Sequence, residues 1–258
     1  MKPIINAVLF CSLFLLAVNC GRHRNTNSET ISADTLTVPD TGYTGIKQYF
    51  AGQNLIYEAT LKNGVRHGLM KSFYSGGQVR VTYWYENGLR EDSAKWYYQE
   101  GQIFRATPYK NDTIHGTQVQ YFRNGRKKAK LGFEKGLRNF FFEEYMANGK
   151  LITNYPDVIV NTKDNYSTNG TYEISLKLSD PSTDVQYFYG DFSKNVFDTA
   201  AVAPIKTVKG AGNLTLKKSS SPTKPNVEIV ASILTKYGNR YLVLKDIELP
   251  YNDLQAVK

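Results

Sequence analysis

Set out in rows of 24 from Tyr43, the sequence collects its aromatics and glycines into columns, and no other feature restricts the fold as much. One column holds Tyr49, Phe73, Tyr97, Tyr121 and Tyr145; the next holds Phe50, Tyr74, Tyr98, Phe122 and Met146. Three columns further on stand Gln53, Gly77, Gly101, Gly125 and Gly149. Late in each complete row come Gly64, Gly88, Asp112 and Gly136, preceded by Asn63, Asn87, Asn111 and Lys135. A fixed period of this size means that one small unit recurs and buries its face against the next copy. Each row carries two turn signals with aromatic and aliphatic residues between them, which predicts one β-hairpin per row. Asn-Gly suits such turns because both central positions need positive φ, where glycine has no Cβ to clash and asparagine tolerates the left-handed region. Asp112 can also enter that region, so its turn is expected to survive. Pro108 cannot donate to a ladder and predicts a bulge or an edge.

The stretches "YENGLR", "HGLMKSFYSGGQ" and "HGTQVQYFRNG" resemble the variant MORN repeat, and the resemblance covers residues 43–152. It implies an array of β-hairpins. It leaves function open, since the family name is shared by membrane-associated scaffolds and by antitoxins. One implied role is therefore scaffolding, and another is an antitoxin or immunity protein that covers and neutralises a toxin. Row three has Glu91 and Asp92 where its neighbours have His67-Gly68 and His115-Gly116, so it is expected to lack their contacts.

After Asn154 the period stops. Stretches such as "TYEISLKLSD", "DVQYFYGDF", "VEIVASILTK" and "RYLVLKDIELP" read as short alternating strands between Pro, Ser and Asn clusters. About seven strands in about a hundred residues predict an immunoglobulin-like β-sandwich over residues 155–258. A hydrophobic content of 41% and a charged content of 21% exclude a disordered chain, and 13% aromatic leans toward strands. The expected fold class is all-β, an elongated array of hairpin repeats followed by that sandwich.

The opening "MKPIINAVLFCSLFLLAVNC" has one lysine, then an apolar stretch too short for a membrane span, which needs about 20 residues. The chain has two cysteines, Cys11 and Cys20, so no intrachain disulfide can survive cleavage before Cys20. "LAVNC" resembles the lipobox of bacterial lipoproteins, with Asn19 in place of the Gly, Ala or Ser of the stricter form. That resemblance implies a signal peptide over residues 1–19 and lipid attachment at Cys20. Acyl chains there would anchor the protein at about 0.8 kcal/mol per buried methylene. Residues 20–42, polar and rich in Ser, Thr, Asn and Asp, read as a flexible linker. Gly21 follows the cysteine instead of the aspartate that retains such proteins in the inner membrane. Together with the basic "GRHRNTN", this implies an outer-membrane address facing the periplasm in preference to the cell surface.

Chemistry has few candidates. His67 and His115 lie two periods apart, too far to share a metal, and read as turn residues. No Walker loop and no GxSxG motif is present. Glu143 and Glu144 adjoin in one strand and should face opposite sides, which disfavours a paired-carboxylate hydrolase. The expectation is a non-enzymatic protein with no catalytic, cofactor or metal residues. Charge is uneven: residues 43–151 hold 17 Lys and Arg against 9 Asp and Glu, whereas residues 152–258 hold 12 against 11. Arg123, Arg126, Lys127, Lys128 and Lys130 form the densest basic cluster, and Lys127 shares a column with Leu55, Val79, Ile103 and Leu151. With the second-column rings Phe50, Tyr74, Tyr98 and Phe122, this cluster is the candidate binding surface. An exported lipoprotein rarely meets nucleic acid, so the expected partners are the membrane, through Cys20, and a protein or envelope component.

Overall fold

In the computed structural model, residues 42–257 are described. Cys20, the signal peptide and the linker up to residue 41 lie outside them. The repeat region folds as β1 (Gly45–Ala51), β2 (Asn54–Lys62), β3 (Val65–Phe73), β4 (Val79–Glu86), β5 (Leu89–Tyr97), β6 (Ile103–Lys110), β7 (Thr113–Ile114), β8 (Gly116–Tyr121), β9 (Lys127–Glu134) and β10 (Leu137–Glu144). Each pairs antiparallel with its neighbour in chain order, apart from β7, a two-residue strand on β6. The protein is all-β, in agreement with the periodic reading.

Turns on the two margins of this sheet differ. On one margin Asn63-Gly64, Asn87-Gly88, Asn111-Asp112 and Lys135-Gly136 all have positive φ at both positions, the geometry of tight two-residue hairpins. Asp112 takes φ 62° and keeps its turn. Each turn also reaches back to the preceding unit. The second residue's N–H donates to the carbonyls of Tyr43, Arg66, Arg90 and Ile114 at 2.8–3.0 Å. The first residue's N–H finds a side chain: Thr44 Oγ1 at 3.0 Å, His67 Nδ1 at 3.4 Å, Glu91 Oε1 at 2.8 Å and His115 Nδ1 at 3.5 Å. Row three therefore makes the contact it was expected to lack. The Glu91 carboxylate replaces the imidazole as acceptor, and Asp92 takes φ 56° where the other rows have glycine.

On the opposite margin the turns are longer. Gly77, Gly101, Gly125 and Gly149 each donate to the carbonyl three residues earlier and sit at φ 79–93°, a type I turn closed by a left-handed glycine. The first row departs, turning in two residues with Gly52 at φ 61°. Pro108 lies opposite Ser93 on one side. On its other side the partner chain breaks into β7 and β8, and only His115 N–H reaches the Pro108 carbonyl.

One face of the sheet is buried. Tyr57, Ser72, Val81, Trp96, Arg105, Gln120, Ala129 and Glu144 succeed one another across it in register. Large side chains cover small neighbours: Arg105 lies over the Trp96 ring at 4.1 Å, and Tyr83 meets Trp96 edge-on at 5.9 Å. Ala59, Ser72, Ala94, Thr107 and Ala129 are thereby almost fully enclosed.

The second region contains β11 (Val158–Asn165), a short helix α1 (Tyr166–Asn169), β12 (Thr171–Leu178), β13 (Val185–Gly190), β14 (Val196–Phe197), β15 (Ala203–Ile205), β16 (Thr207–Val208), β17 (Ala211–Lys218), β18 (Asn226–Leu234), β19 (Arg240–Glu248) and β20 (Leu254–Ala256). One sheet runs β11-β12-β17-β16, with β20 also on β17; the other runs β15-β13-β18-β19. Their inner faces share one core, with Ile174, Leu176, Leu214 and Leu216 from the first sheet against Tyr187, Ile229, Ala231 and Ile233 from the second. β14 leaves this pair and joins the repeat sheet at β10, with Arg138 opposite Phe197 and Asn139 opposite Val196. It covers backbone groups that would otherwise be left as a free edge.

β18 explains how the two regions meet. Ile229, Ala231 and Ile233 face the sandwich core, while Val230 points the other way into a second cluster with Phe192 and Leu242, against which Phe140 and Phe197 pack. Phe142 continues that seam against Tyr155 and Tyr241 at 5.6 and 5.5 Å. The triplet at 140–142 is thus divided: its outer two rings pack at the joint, and Phe141 between them stays 43% exposed.

Candidate functional site

The second-column rings fall on the margin of the longer turns, where two of them bind one unit to the next. Tyr74 donates its hydroxyl to the Tyr97 carbonyl at 2.6 Å, and Tyr98 to the Tyr121 carbonyl at 3.2 Å. Phe122, without a hydroxyl, meets Tyr237 of the sandwich edge-on at 5.6 Å. Phe50, on the outermost strand, is 55% exposed.

The basic cluster lies along the same margin and is mostly engaged within the protein. Arg123 pairs with Glu100 at 2.6 Å and lies over the Tyr98 ring at 4.6 Å. Arg126 donates to the Ala147 carbonyl of the following turn at 3.3 Å. Lys128 lies over Tyr237 at 5.6 Å. Lys130 pairs with Glu143 at 2.8 Å, and the Tyr145 hydroxyl also donates to Glu143. The hydrogen bond from Lys130, then that from Tyr145, hold the Glu143 carboxyl below its usual range. Lys127 is exposed and stands opposite Tyr121, where the other rows pair Phe73 with Val79, Tyr97 with Ile103 and Tyr145 with Leu151. A sequence-adjacent run of cations is therefore spread over separate partners on other strands and turns.

The face opposite the buried one has a different character. Gln48, Glu58, Lys71, Thr82, Lys95, Ala106, Val119, Lys130 and Glu143 stand side by side across nine strands. Glu58 and Lys71 pair at 2.9 Å, whereas Lys95 is exposed. Beside this polar row Ile46, Leu69 and Trp84 are 59%, 38% and 44% exposed. Leu69 stands directly opposite Trp84, and Thr82, two residues from Trp84, stands opposite Lys95. An exposed aromatic ring and an aliphatic side chain thus face each other on β3 and β4; on β5 the residue opposite Trp84 is Glu91, and the exposed Lys95 lies further along that strand. Trp84 lies outside the aromatic columns of the repeat, and its pairing with Leu69 is set by the strand register.

A concave site lies at the joint of the two regions. Glu144 is 1% exposed; its Oε1 accepts from Thr235 Oγ1 at 2.7 Å and Asn239 Nδ2 at 2.8 Å. Asn239 in turn accepts from Gln120 Nε2 at 2.8 Å, so β8, β10 and the β18–β19 turn are bound into one network. Tyr155 approaches Oε2 at 3.4 Å, and burial together with the Glu144 charge pushes its phenol well above the usual range. Glu143 and Glu144 do face opposite sides, one on the polar row and the other in this joint.

Among the described residues no group of three or more His, Cys, Asp and Glu is placed to hold a metal ion, and no helix is long and apolar enough to cross a membrane. No family model matches the chain, and no curated protein matches it.

Proposed function

We propose that this is a non-enzymatic recognition or scaffolding protein, tethered by lipid on Cys20 to the outer membrane and facing the periplasm. Its hairpin array presents a basic, aromatic surface to a protein or envelope component. The observation that carries this reading is the exposed pair Trp84 and Leu69, directly opposite each other, with the exposed Lys95 on the next strand of the array. Tryptophan is enriched among residues that dominate binding energy, and truncating such an anchor costs at least about 2 kcal/mol. The recurring turn contacts support the variant MORN reading of residues 43–152. The order β11-β12-β17-β16 against β15-β13-β18-β19 supports the immunoglobulin-like reading of residues 155–258.

The test is crosslinking and pull-down from intact envelopes with the wild type and a Trp84→Ala, Lys95→Glu variant. The partner captured by the wild type should be lost from the variant while its thermal unfolding stays unchanged; equal capture refutes the surface. A palmitate analogue should label the wild type and not Cys20→Ala, and undiminished label on that variant refutes the anchor.

A further inference from the structure

Beside Glu144 opens a cavity of about 370 Å³, within the range of small-molecule sites. We propose that it binds a small primary alkylammonium group, with Glu144 as the counter-charge. All hydrogen-bond partners of Glu144 are neutral, and among the described residues no cation lies within ion-pair distance of it. Its two oxygens are unequally served: Oε1 takes two good hydrogen bonds, whereas among the described residues Oε2 has only the Tyr155 hydroxyl at 3.4 Å, longer than an ordinary O–H···O bond. A buried carboxylate is costly unless a cation or a full set of donors completes it. An ammonium head brings three donors and the missing charge.

The remaining wall selects the group attached to that head. Met146, Ile152, Pro156, Ile233 and Leu234 make it largely apolar, suited to an alkyl stem. Asp180 adds a second acid, and the one lining cation, Lys236, has its ammonium 5.0 Å from the Tyr237 ring centre. Taking about 30 Å³ per water-sized group, the cavity holds on the order of a dozen non-hydrogen atoms. That admits a free alkylamine or one lysine side chain from a polypeptide and excludes a folded segment. The site shares no residue with the Trp84 surface, so the two stand or fall separately.

Methionine methyl NMR on the full chain tests it, since Met146 lines the cavity and Met70 lies in β3 away from it. Titration with n-hexylammonium, or with an acetylated Gly-Lys-Gly amide, should shift the Met146 signal and leave Met70 in place. The first probe represents a free amine and the second a polypeptide source. Glu144→Gln should weaken the response about tenfold or more, as expected for a lost charge-assisted hydrogen bond. The proposal is overturned by no Met146 shift with either amine at millimolar concentration, by an equal shift with n-hexanol, or by undiminished affinity in Glu144→Gln. Should that variant not fold, Ile152→Trp fills the cavity while keeping Glu144, and a persisting Met146 shift overturns the proposal equally.

Discussion

Asp112→Gly restores the residue found at this position in the other rows, and column reasoning alone expects it to stabilise. Relief of the left-handed backbone of a non-glycine residue is worth up to about 1 kcal/mol at such a site. The structure points the other way. Asp112 Oδ1 accepts the Arg90 backbone N–H at 2.8 Å and the Arg90 Nε at 2.7 Å, and Arg90 lies over the Tyr109 ring at 4.6 Å. A hydrogen bond involving a charged group contributes about 1.5–3 kcal/mol. The side chains of Arg90 and Asp112 are 24% and 40% exposed, so solvent screening reduces that to about 1.5–2 kcal/mol for both contacts together. The loss exceeds the relief, and Asp112→Gly should destabilise by about 0.5–1 kcal/mol, lowering the urea midpoint by a few tenths molar. Asp112→Asn keeps the left-handed preference and loses the charge, so it isolates the pairing.

The same contacts set the sign of the pH dependence. Burial raises the Asp112 carboxyl, but the hydrogen bonds from the Arg90 side chain and backbone and the charges of Arg90 and Arg66 outweigh it, leaving the pKa below the usual 3.8. A depressed carboxylate contributes stability above its unfolded pKa and loses it as pH falls through the folded value. The gap between wild type and Asp112→Asn should therefore be full at pH 7 and narrow in acid, as the pH falls below the usual 3.8. Urea unfolding at pH 7 and in acid measures it. A more stable Asp112→Gly at pH 7, or a gap that persists in acid, would refute the reasoning.

Tyr74→Phe and Tyr98→Phe should each cost about 1 kcal/mol in urea unfolding, since each removes one hydroxyl-to-carbonyl bond between units. Ile174→Ala, at a fully buried core position, should cost about 2–5 kcal/mol, whereas Ile46→Ser on the exposed face should stay within about 0.5 kcal/mol, both read by calorimetry. Val230→Asp places a charge in the seam between the two regions and should expose Phe140 and Phe142, read as increased binding of a hydrophobic dye.

The repeat region was legible because its pairing is local. A residue and its partner lie within one hairpin, and the turns demand backbone angles that few residues tolerate, so the period shows in the sequence. Hydroxyls carried a signal that was available: within one column Tyr74 and Tyr98 bind the next unit, and Phe50 and Phe122 cannot. The basic cluster misleads when read along the chain because a sheet sets its neighbours across strands, and Arg123 pairs with Glu100 of the preceding row at 2.6 Å. Glu91 shows that one hydrogen-bond requirement can be met by unlike residue types. β18 reads as an alternating strand, yet at its middle Ile229, Val230 and Ala231 are apolar in succession, as in a strand buried on both sides, and that break in the alternation was the clue to the joint. The addition of β14 to β10 left no trace, because two short strands far apart in sequence share no periodicity.

β14 closes one end of the repeat sheet, while β1 at the other end pairs on one side alone among the described residues. Duplication of a 24-residue row can therefore lengthen the protein upstream without disturbing the joint at the closed end. Each added row would contribute two strands, or about 10 Å of sheet width. In an evolving lineage row number would then behave as a spacer, setting how far the sandwich stands from whatever holds the start of the chain.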